Sequence, residues 1–281
     1  MRHFIGYTIV ALIAAIALGC GSGKELPDVV PHTKEAGVTS PDPVEKAPEA
    51  SDPAAKAIAD RAIKAITQNQ PDLLVKARNC KLTAHGLFQL PPKNQTMTEA
   101  KCIINSMWPD RGQITYDFGG SHKLVFGKRG VFGWWVNSPL PYVAPSELAQ
   151  VIQTDLMAQQ WFLVGLGLAE SGAVFFDPKN EKTAKSSTTT IKVGLKDLLV
   201  YRVAFDDQSG LPVRIEYAPL EIGQRVRVKK VISASDPMLA SGLMLPTTIS
   251  LTQNEQLAYR WTVDHWDFPE KMDDSVFDPP K

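Results

Sequence analysis

Neither sign of charge is in excess in this 281-residue chain, where 30 lysines and arginines stand against 30 aspartates and glutamates. Without a basic surplus there is no electrostatic footprint for nucleic acid. Cysteine is scarce, with three in all, and beyond His3 the histidines His32, His85, His122 and His265 are scattered. No HExxH and no Cys/His cluster occurs, so the ligand spacing of a zinc site is missing. A Gly-x-Ser-x-Gly elbow is also lacking. Asp206-Asp207-Gln208-Ser209-Gly210 has neither the alternating oxygen ligands nor the closing Glu of a calcium loop and reads as a turn. No metal, cofactor or catalytic residue is assigned, and the expectation is a protein that is not an enzyme. Beyond the N-terminus no long apolar run is found, because Trp161 to Leu168 is brief and broken by glycine.

The N-terminus itself is informative. Arg2 precedes an apolar run from Ile5 to Leu18 that ends in Gly19-Cys20 and gives way to the polar Gly21-Ser22-Gly23-Lys24. The run is shorter than the roughly 20 residues a membrane span needs, and its small-residue end suits processing. Residues 1–19 are therefore expected to be a signal peptide, with Cys20 lipidated as the first residue of the mature chain. Leu18 stands one place later than the usual lipobox leucine, and an ordinary cleaved signal with a chance cysteine is the alternative. Gly21 is not the aspartate of the enteric inner-membrane retention rule. A lipid anchor in the outer membrane, facing the periplasm, is the expected address.

With Cys20 assigned to lipid, Cys80 and Cys102 remain. In an oxidising compartment they can form a disulfide, closing a loop of roughly 22 residues worth about 3 kcal/mol by chain entropy. The alternative is two separately buried thiols that pack as small hydrophobes.

Residues 20–51 are polar and proline-rich, with prolines at 27, 31, 41, 43 and 48, and read as a disordered tether. A folded domain is expected over 52–281. Asp52 can cap a helix whose first position suits Pro53, and Ala55, Ile58, Ala59, Ala62, Ile63 and Ile66 share one face of it. After Asn79 the period falls to two. Leu82, Ala84, Phe88 and Leu90 alternate with polar residues, as do Ile114, Tyr116 and Phe118. Further strands are expected near 123–127 and 131–137, and Pro145-Ser146-Glu147 starts a helix running through Leu156 toward Trp161 and Phe162.

The C-terminal half alternates more cleanly. Leu199, Tyr201, Val203 and Phe205 lead through the turn at 207–210 to Val213, Ile215 and Tyr217, a hairpin signal. Strands near 226–232, 245–251 and 257–263 follow, the last carrying Tyr259 and Trp261. Many antiparallel strands apolar on one side must share an interior, and such a sheet curls around helices or a ligand. Arg202, Arg214, Arg225, Arg227, Lys229 and Arg260 fall on the outward face. Interleaved with Glu216 and Asp264, they read as a solvated surface rather than a headgroup site. The acidic residues from Asp264 to Asp278 lie in a proline-containing terminal strap.

Tyr201-Arg202-Val203-Ala204-Phe205-Asp206, Gly210-Leu211-Pro212-Val213-Arg214-Ile215-Glu216-Tyr217, Leu245-Pro246-Thr247-Thr248-Ile249, Trp261-Thr262-Val263 and Asp273-Asp274-Ser275-Val276-Phe277 together resemble the LolA-like superfamily of outer-membrane lipoprotein-sorting proteins. The likeness covers roughly 195–280 closely and 53–175 by order of elements. It implies an α+β fold in which an antiparallel curled sheet forms an incomplete β-barrel, with helices plugging or covering an apolar concave face that accepts acyl chains. The partners expected are the membrane, through the N-terminal lipid, and a lipid or the acyl chain of a lipoprotein. A protein-interaction or sensory module with the same fold and a filled cavity is the alternative, with an envelope protein as its partner. The candidate ligand-binding residues are the aromatics on apolar faces and in the middle region: Phe88, Tyr116, Phe118, Trp134, Trp161, Phe162, Tyr201, Phe205, Tyr217 and Trp261.

Overall fold

The computed structural model describes residues 45–89, 97–120, 122–137, 141–144, 146–182, 186–195, 198–219 and 227–279. The expected signal peptide, Cys20, His32, Pro145, Arg225 and Val226 lie outside the described residues, as does Leu90.

Asp52 caps helix α1 (Pro53–Ile66), its carboxylate accepting from the backbone N–H groups of Ala54 at 2.7 Å and Ala55 at 3.3 Å. The buried face of α1 is Ala55, Ala59, Ala62 and Ile66, as the 100° spacing predicts. Small side chains bring this helix close to the sheet. A short helix, α2 (Leu73–Ala77), leads into the first strand.

The chain contributes β1 (Asn79–Gln89), β2 (Met97–Met107), β3 (Arg111–Asp117), β4 (Lys123–Arg129), β5 (Phe132–Asn137) and β6 (Pro141–Ala144) before helix α3 (Ser146–Leu156). It then contributes β7 (Val174–Lys182), β8 (Ser187–Gly194), β9 (Val200–Asp206), β10 (Pro212–Tyr217), β11 (Lys230–Ala240), β12 (Leu243–Gln253) and β13 (Gln256–Asp267). All thirteen form one sheet in the order β6-β5-β4-β3-β2-β1-β13-β12-β11-β10-β9-β8-β7. Every neighbouring pair is antiparallel, including β1 with β13, where Leu82 faces Trp266.

Two meanders are thus joined at β1 and β13, while β6 and β7, consecutive in the chain, end on opposite edges of the sheet. The sheet is curled but not closed. The segment between those edges has to cross from one to the other, and it does so through the interior. α3 runs into a π-helical turn (Met157–Trp161), marked by the bond from Phe162 N–H to the Met157 carbonyl at 2.9 Å. From Leu156 through Leu168 the chain is almost wholly buried, Trp161 and Phe162 at 0% exposure. The concave face is plugged by α1, α3 and this crossing segment.

Residues 45–51, assigned above to the tether, lie against the sheet. Glu45 pairs with Lys192 of β8, and the backbone N–H of Phe175 donates to the Ser51 hydroxyl at 3.0 Å. The strand expected from 226 begins instead at Lys230, and Val228 precedes it.

The disulfide expectation is overturned: Cys80 and Cys102 are free, buried thiols. Adjacent strands carry them, but in this register Cys80 faces Ser106 while Cys102 faces Ala84. Four residues of offset separate the two by about 13 Å along the strand, far beyond what a disulfide spans. Cys102 lies in the middle of β2.

On the convex side, a 3₁₀ turn (Asp274–Phe277) straps the outer face of β3 to β5. Gln113 donates to the Val276 carbonyl at 2.6 Å, and Arg111 pairs with Asp274.

Candidate ligand-binding interior

Inward positions of neighbouring strands stack aromatic rings into a continuous band. The Phe88 ring centroid lies 4.7 Å from Tyr116 and 5.4 Å from Phe118, and Trp261 stacks 5.9 Å from Tyr116 and 5.2 Å from Tyr259. A second band joins Phe162 to Tyr201 at 5.0 Å and Tyr201 to Tyr217 at 5.7 Å. Trp161 sits edge-on to Trp108 at 4.7 Å and donates its indole N–H to the Ser106 hydroxyl at 3.1 Å. Phe205 packs in the same core.

Nine of the ten proposed residues therefore share the interior. Trp134 does not. A Cβ built on Gly127 would meet its indole at 2.1 Å, and its N–H donates to the Phe277 carbonyl at 3.2 Å. Trp134 lies on the convex face beneath the strap, because β5 turns Trp135 inward instead.

The interior also holds charge. Lys230, which opens β11, is 2% exposed and donates to both carboxylate oxygens of Asp155 on α3, at 2.8 and 2.9 Å. Tyr217 donates its hydroxyl to Asp155 Oδ1 at 2.9 Å, and the Lys230 ammonium lies 5.8 Å from the centroid of the Tyr217 ring. Across the hollow, Lys128 of β4 is 1% exposed and donates to Gln153 Oε1 of α3 at 2.9 Å. Two buried lysines from opposite wings of the sheet thus grip one helix. Burial lowers the Lys128 pKa to about 8, the nearby Asp110 charge opposing the shift. Burial pushes the hydroxyls of Tyr116, Tyr217 and Tyr259 well above the usual phenol value, and the Asp155 charge adds to the rise, so all three stay protonated.

Two polar atoms in the band, the Tyr259 hydroxyl and the Trp261 indole nitrogen, find no hydrogen-bond partner among the described residues although both side chains are 2% exposed. Each such group typically costs about 1–3 kcal/mol if nothing answers it. Beside this band, between α3 and the sheet, lies a crevice of about 20 Å³ lined by Ile114, Tyr116, Phe126, Leu148, Ile152 and Asp155, among others. That is the room of one water molecule.

A larger, open groove of about 460 Å³ occupies the end of the half-barrel where β1 begins and β13 ends. Leu73, Val75, Leu243, Phe268 and Pro269 wall it, with Lys76, Asn79, Ser241 and Glu270 as its charged and polar members. The sequence reading missed this groove because its walls come from four separate stretches of chain, which no local pattern brings together. It also missed Lys230 and Asp155, although Lys230 stands in the inward phase of Ile232 and the signal was there to read.

No protein-family model matches the sequence, and no curated protein matches it. The fold does have solved counterparts. A LolA superfamily protein from Nitrosomonas europaea superposes with a TM-score of 0.51, over 80% of this chain and 97% of that one, at 12% identity. The fold is LolA-like. A DUF1329 family protein from Desulfovibrio piger gives a TM-score of 0.53 over 81% of this chain and 98% of its own, at 13% identity. The LolA-like architecture inferred from the C-terminal motifs thus extends to the N-terminal half, where the motifs were weak. It is an incomplete barrel, and in this LolA-like chain its hollow is occupied by α3 and the crossing segment.

Proposed function

We propose that this chain is a lipid-anchored protein of the bacterial envelope, placed in the outer membrane and facing the periplasm, that binds the acyl chain of a lipid or lipoprotein, in lipoprotein sorting. The observation that carries this reading is the groove of about 460 Å³ at the open end of the half-barrel, within the size range of small-ligand sites. Its apolar walls supply burial worth roughly 25 cal/mol per Å², and Lys76 stands among them to meet a headgroup. The aromatic interior offers a continuation for a longer tail if α3 yields. No residue is given a catalytic role.

A second reading, an interaction or sensory module with a filled cavity, is favoured by one specific observation. Trp161 and Phe162 are wholly buried in the hollow, and the crevice beside α3 is only about 20 Å³. Native mass spectrometry with lipid extraction, on the full chain recovered from an envelope compartment, separates the two. A bound species of acyl-chain mass supports carriage. A folded protein with a clean apo mass supports the interaction module and removes the first reading.

A further inference from the structure

Of the five large apolar side chains that stand exposed among the described residues, four gather at one end of the half-barrel. Val75 belongs to α2, Val131 and Phe132 to the β4–β5 hairpin and Leu239 to the β11–β12 hairpin, each 62–69% exposed. Hydrogen bonds and the groove tie these three projections into one rim. The Trp108 backbone N–H donates to the Arg78 carbonyl, just past α2, at 2.8 Å, and the Gly130 N–H donates to the Asp110 carbonyl at 2.9 Å. The short helix, the β2–β3 turn and the β4–β5 turn therefore run side by side. On the other side Val75 and Ser241, the latter two residues after Leu239, wall the same groove. Folding does not ask for the apolar tip of the β4–β5 hairpin. Arg129 pairs with Phe132 across a two-residue turn, Gly130-Val131, a place where Asn, Asp and Gly are the usual choices.

We infer that this end of the half-barrel is a membrane-docking surface, on which Val75, Val131, Phe132 and Leu239 enter the headgroup layer of a lipid bilayer beside the mouth of the groove. The groove's part in this rests on the acyl-binding reading, since docking gives an acyl chain a path that avoids water. A protein partner needs a continuous complementary patch of roughly 800 Å² on each side. These side chains stand instead on three separate projections with an open groove among them. A fluid bilayer conforms to each tip. Charge at the rim selects no charged partner: exposed Lys76 and Arg78 are matched by exposed Asp72 and Glu270, and Arg129 is held by Asp278 at 2.6 Å. The contact is therefore apolar, with cations whose stems lie along the acyl boundary while their heads stay in water.

No element has to move for this contact. Helix α3 keeps both of its buried lysine partners, and the two hairpins keep their ladders. At the opposite end, the turns that carry His122 and Asn254-Glu255 are exposed and polar. The two ends differ in kind, and a bilayer meets one of them.

The test places a solvent-sensitive fluorophore on one introduced cysteine at a time: Phe132→Cys, Leu239→Cys and, at the opposite end, His122→Cys. The full chain is reconstituted in phosphatidylcholine vesicles that carry a nitroxide-labelled lipid. Cys80 and Cys102 are buried and escape the label in the native protein, and the parent chain treated alike gives the background. Fluorophores at positions 132 and 239 are expected to shift to the blue and to be quenched several-fold more than one at position 122. The quenching should persist in high salt, which screens exposed charges but not apolar burial. Charge at the tip, Val131→Asp with Phe132→Asp, should release the fluorophore at position 239, and both side chains are exposed, so the fold is left intact. Equal quenching at both ends, no quenching at positions 132 and 239, or quenching lost in salt overturns the inference. So does a blue shift without quenching, which a second copy of the chain on the rim gives. Acyl lipid that copurifies with a chain whose rim stays unquenched overturns this inference alone. A clean apo mass with a quenched rim removes the acyl-binding reading and leaves the docking in place.

Discussion

Lys230 on β11 holds both carboxylate oxygens of Asp155 on α3, at 2.8 and 2.9 Å, inside the half-barrel. The pair ties the plug to the C-terminal wing of the sheet and is closed off from solvent on the lysine side, at 3% side-chain exposure.

Breaking that pair from one side leaves the other charge stranded. Asp155→Ala is expected to cost about 3–5 kcal/mol, whereas the double replacement Asp155→Leu with Lys230→Met should recover most of the loss. Urea denaturation of the single and double variants checks this. A single variant that unfolds at the parent midpoint would show that the pair carries no such strain.

Lys128 makes the opposite kind of contact, a buried ammonium facing a neutral amide. Its pKa in the folded state falls to about 8, below the unfolded value near 10.5. Below pH 8 both states hold the proton and the fold carries the full burial penalty. Between about pH 8 and 10.5 the unfolded state binds more protons than the folded one, so this group's contribution to stability rises with pH. The penalty relieved is at most about 3 kcal/mol. Lys128→Met should lack this rise and be more stable than the parent at pH 7, as urea midpoints measured across that window would reveal.

Because the Cys80 and Cys102 thiols lie about 13 Å apart along neighbouring strands, they should remain reduced under oxidising conditions. Burial raises the pKa of both thiols and keeps thiolate scarce. Alkylation followed by mass analysis should label neither of these two in the native protein and both after denaturation. A bridged mass in the denatured, unreduced chain would contradict the register of β1 and β2.

Gly133 lets α3 approach β5 closely: a Cβ there would stand 2.6 Å from the backbone nitrogen of Ala149. Backbone cannot rotate aside as a side chain can. Gly133→Ala is therefore expected to destabilise by about 1–3 kcal/mol through overpacking, seen as a lower thermal midpoint. If α3 is the element that yields to a ligand, the same variant should bind an acyl probe faster.

Much of the sheet was readable from period alone. β3, β4, β5, β9, β10, β12 and β13 fall where alternation of apolar and polar residues placed strands, and α1 begins at the Asp52 cap that sequence predicted. β7 escaped because Asp177, at φ 52°, and a register shift between Phe176 and Lys179 break its alternation. β8 escaped because a run of threonines carries no polar-apolar contrast. The π turn was invisible for a related reason: its five residues are all buried, so no face is marked.

The candidate site was legible as a set of aromatics but not as a place. Period two states which residues of one strand share a side, and so grouped Tyr116, Tyr201, Tyr217 and Trp261 correctly. It leaves open which side of each strand the curl encloses, so it could not separate Trp134, a candidate as an aromatic of the middle region, from the residues of the interior.

What the sequence alone determined is local: the capped helix, the strand phases, the hairpin at 207–210 and the C-terminal motifs of a LolA-like sheet. Those features depend on residues within one or two turns of each other. Tertiary structure alone decided the four-residue offset that keeps Cys80 from Cys102, the pairing of Asp155 with Lys230 across 75 positions, and the filling of the hollow by α3. Each of these depends on how separate strands register and how far the sheet curls. Register and curl are set by the packing of the whole interior, which no short stretch of sequence contains.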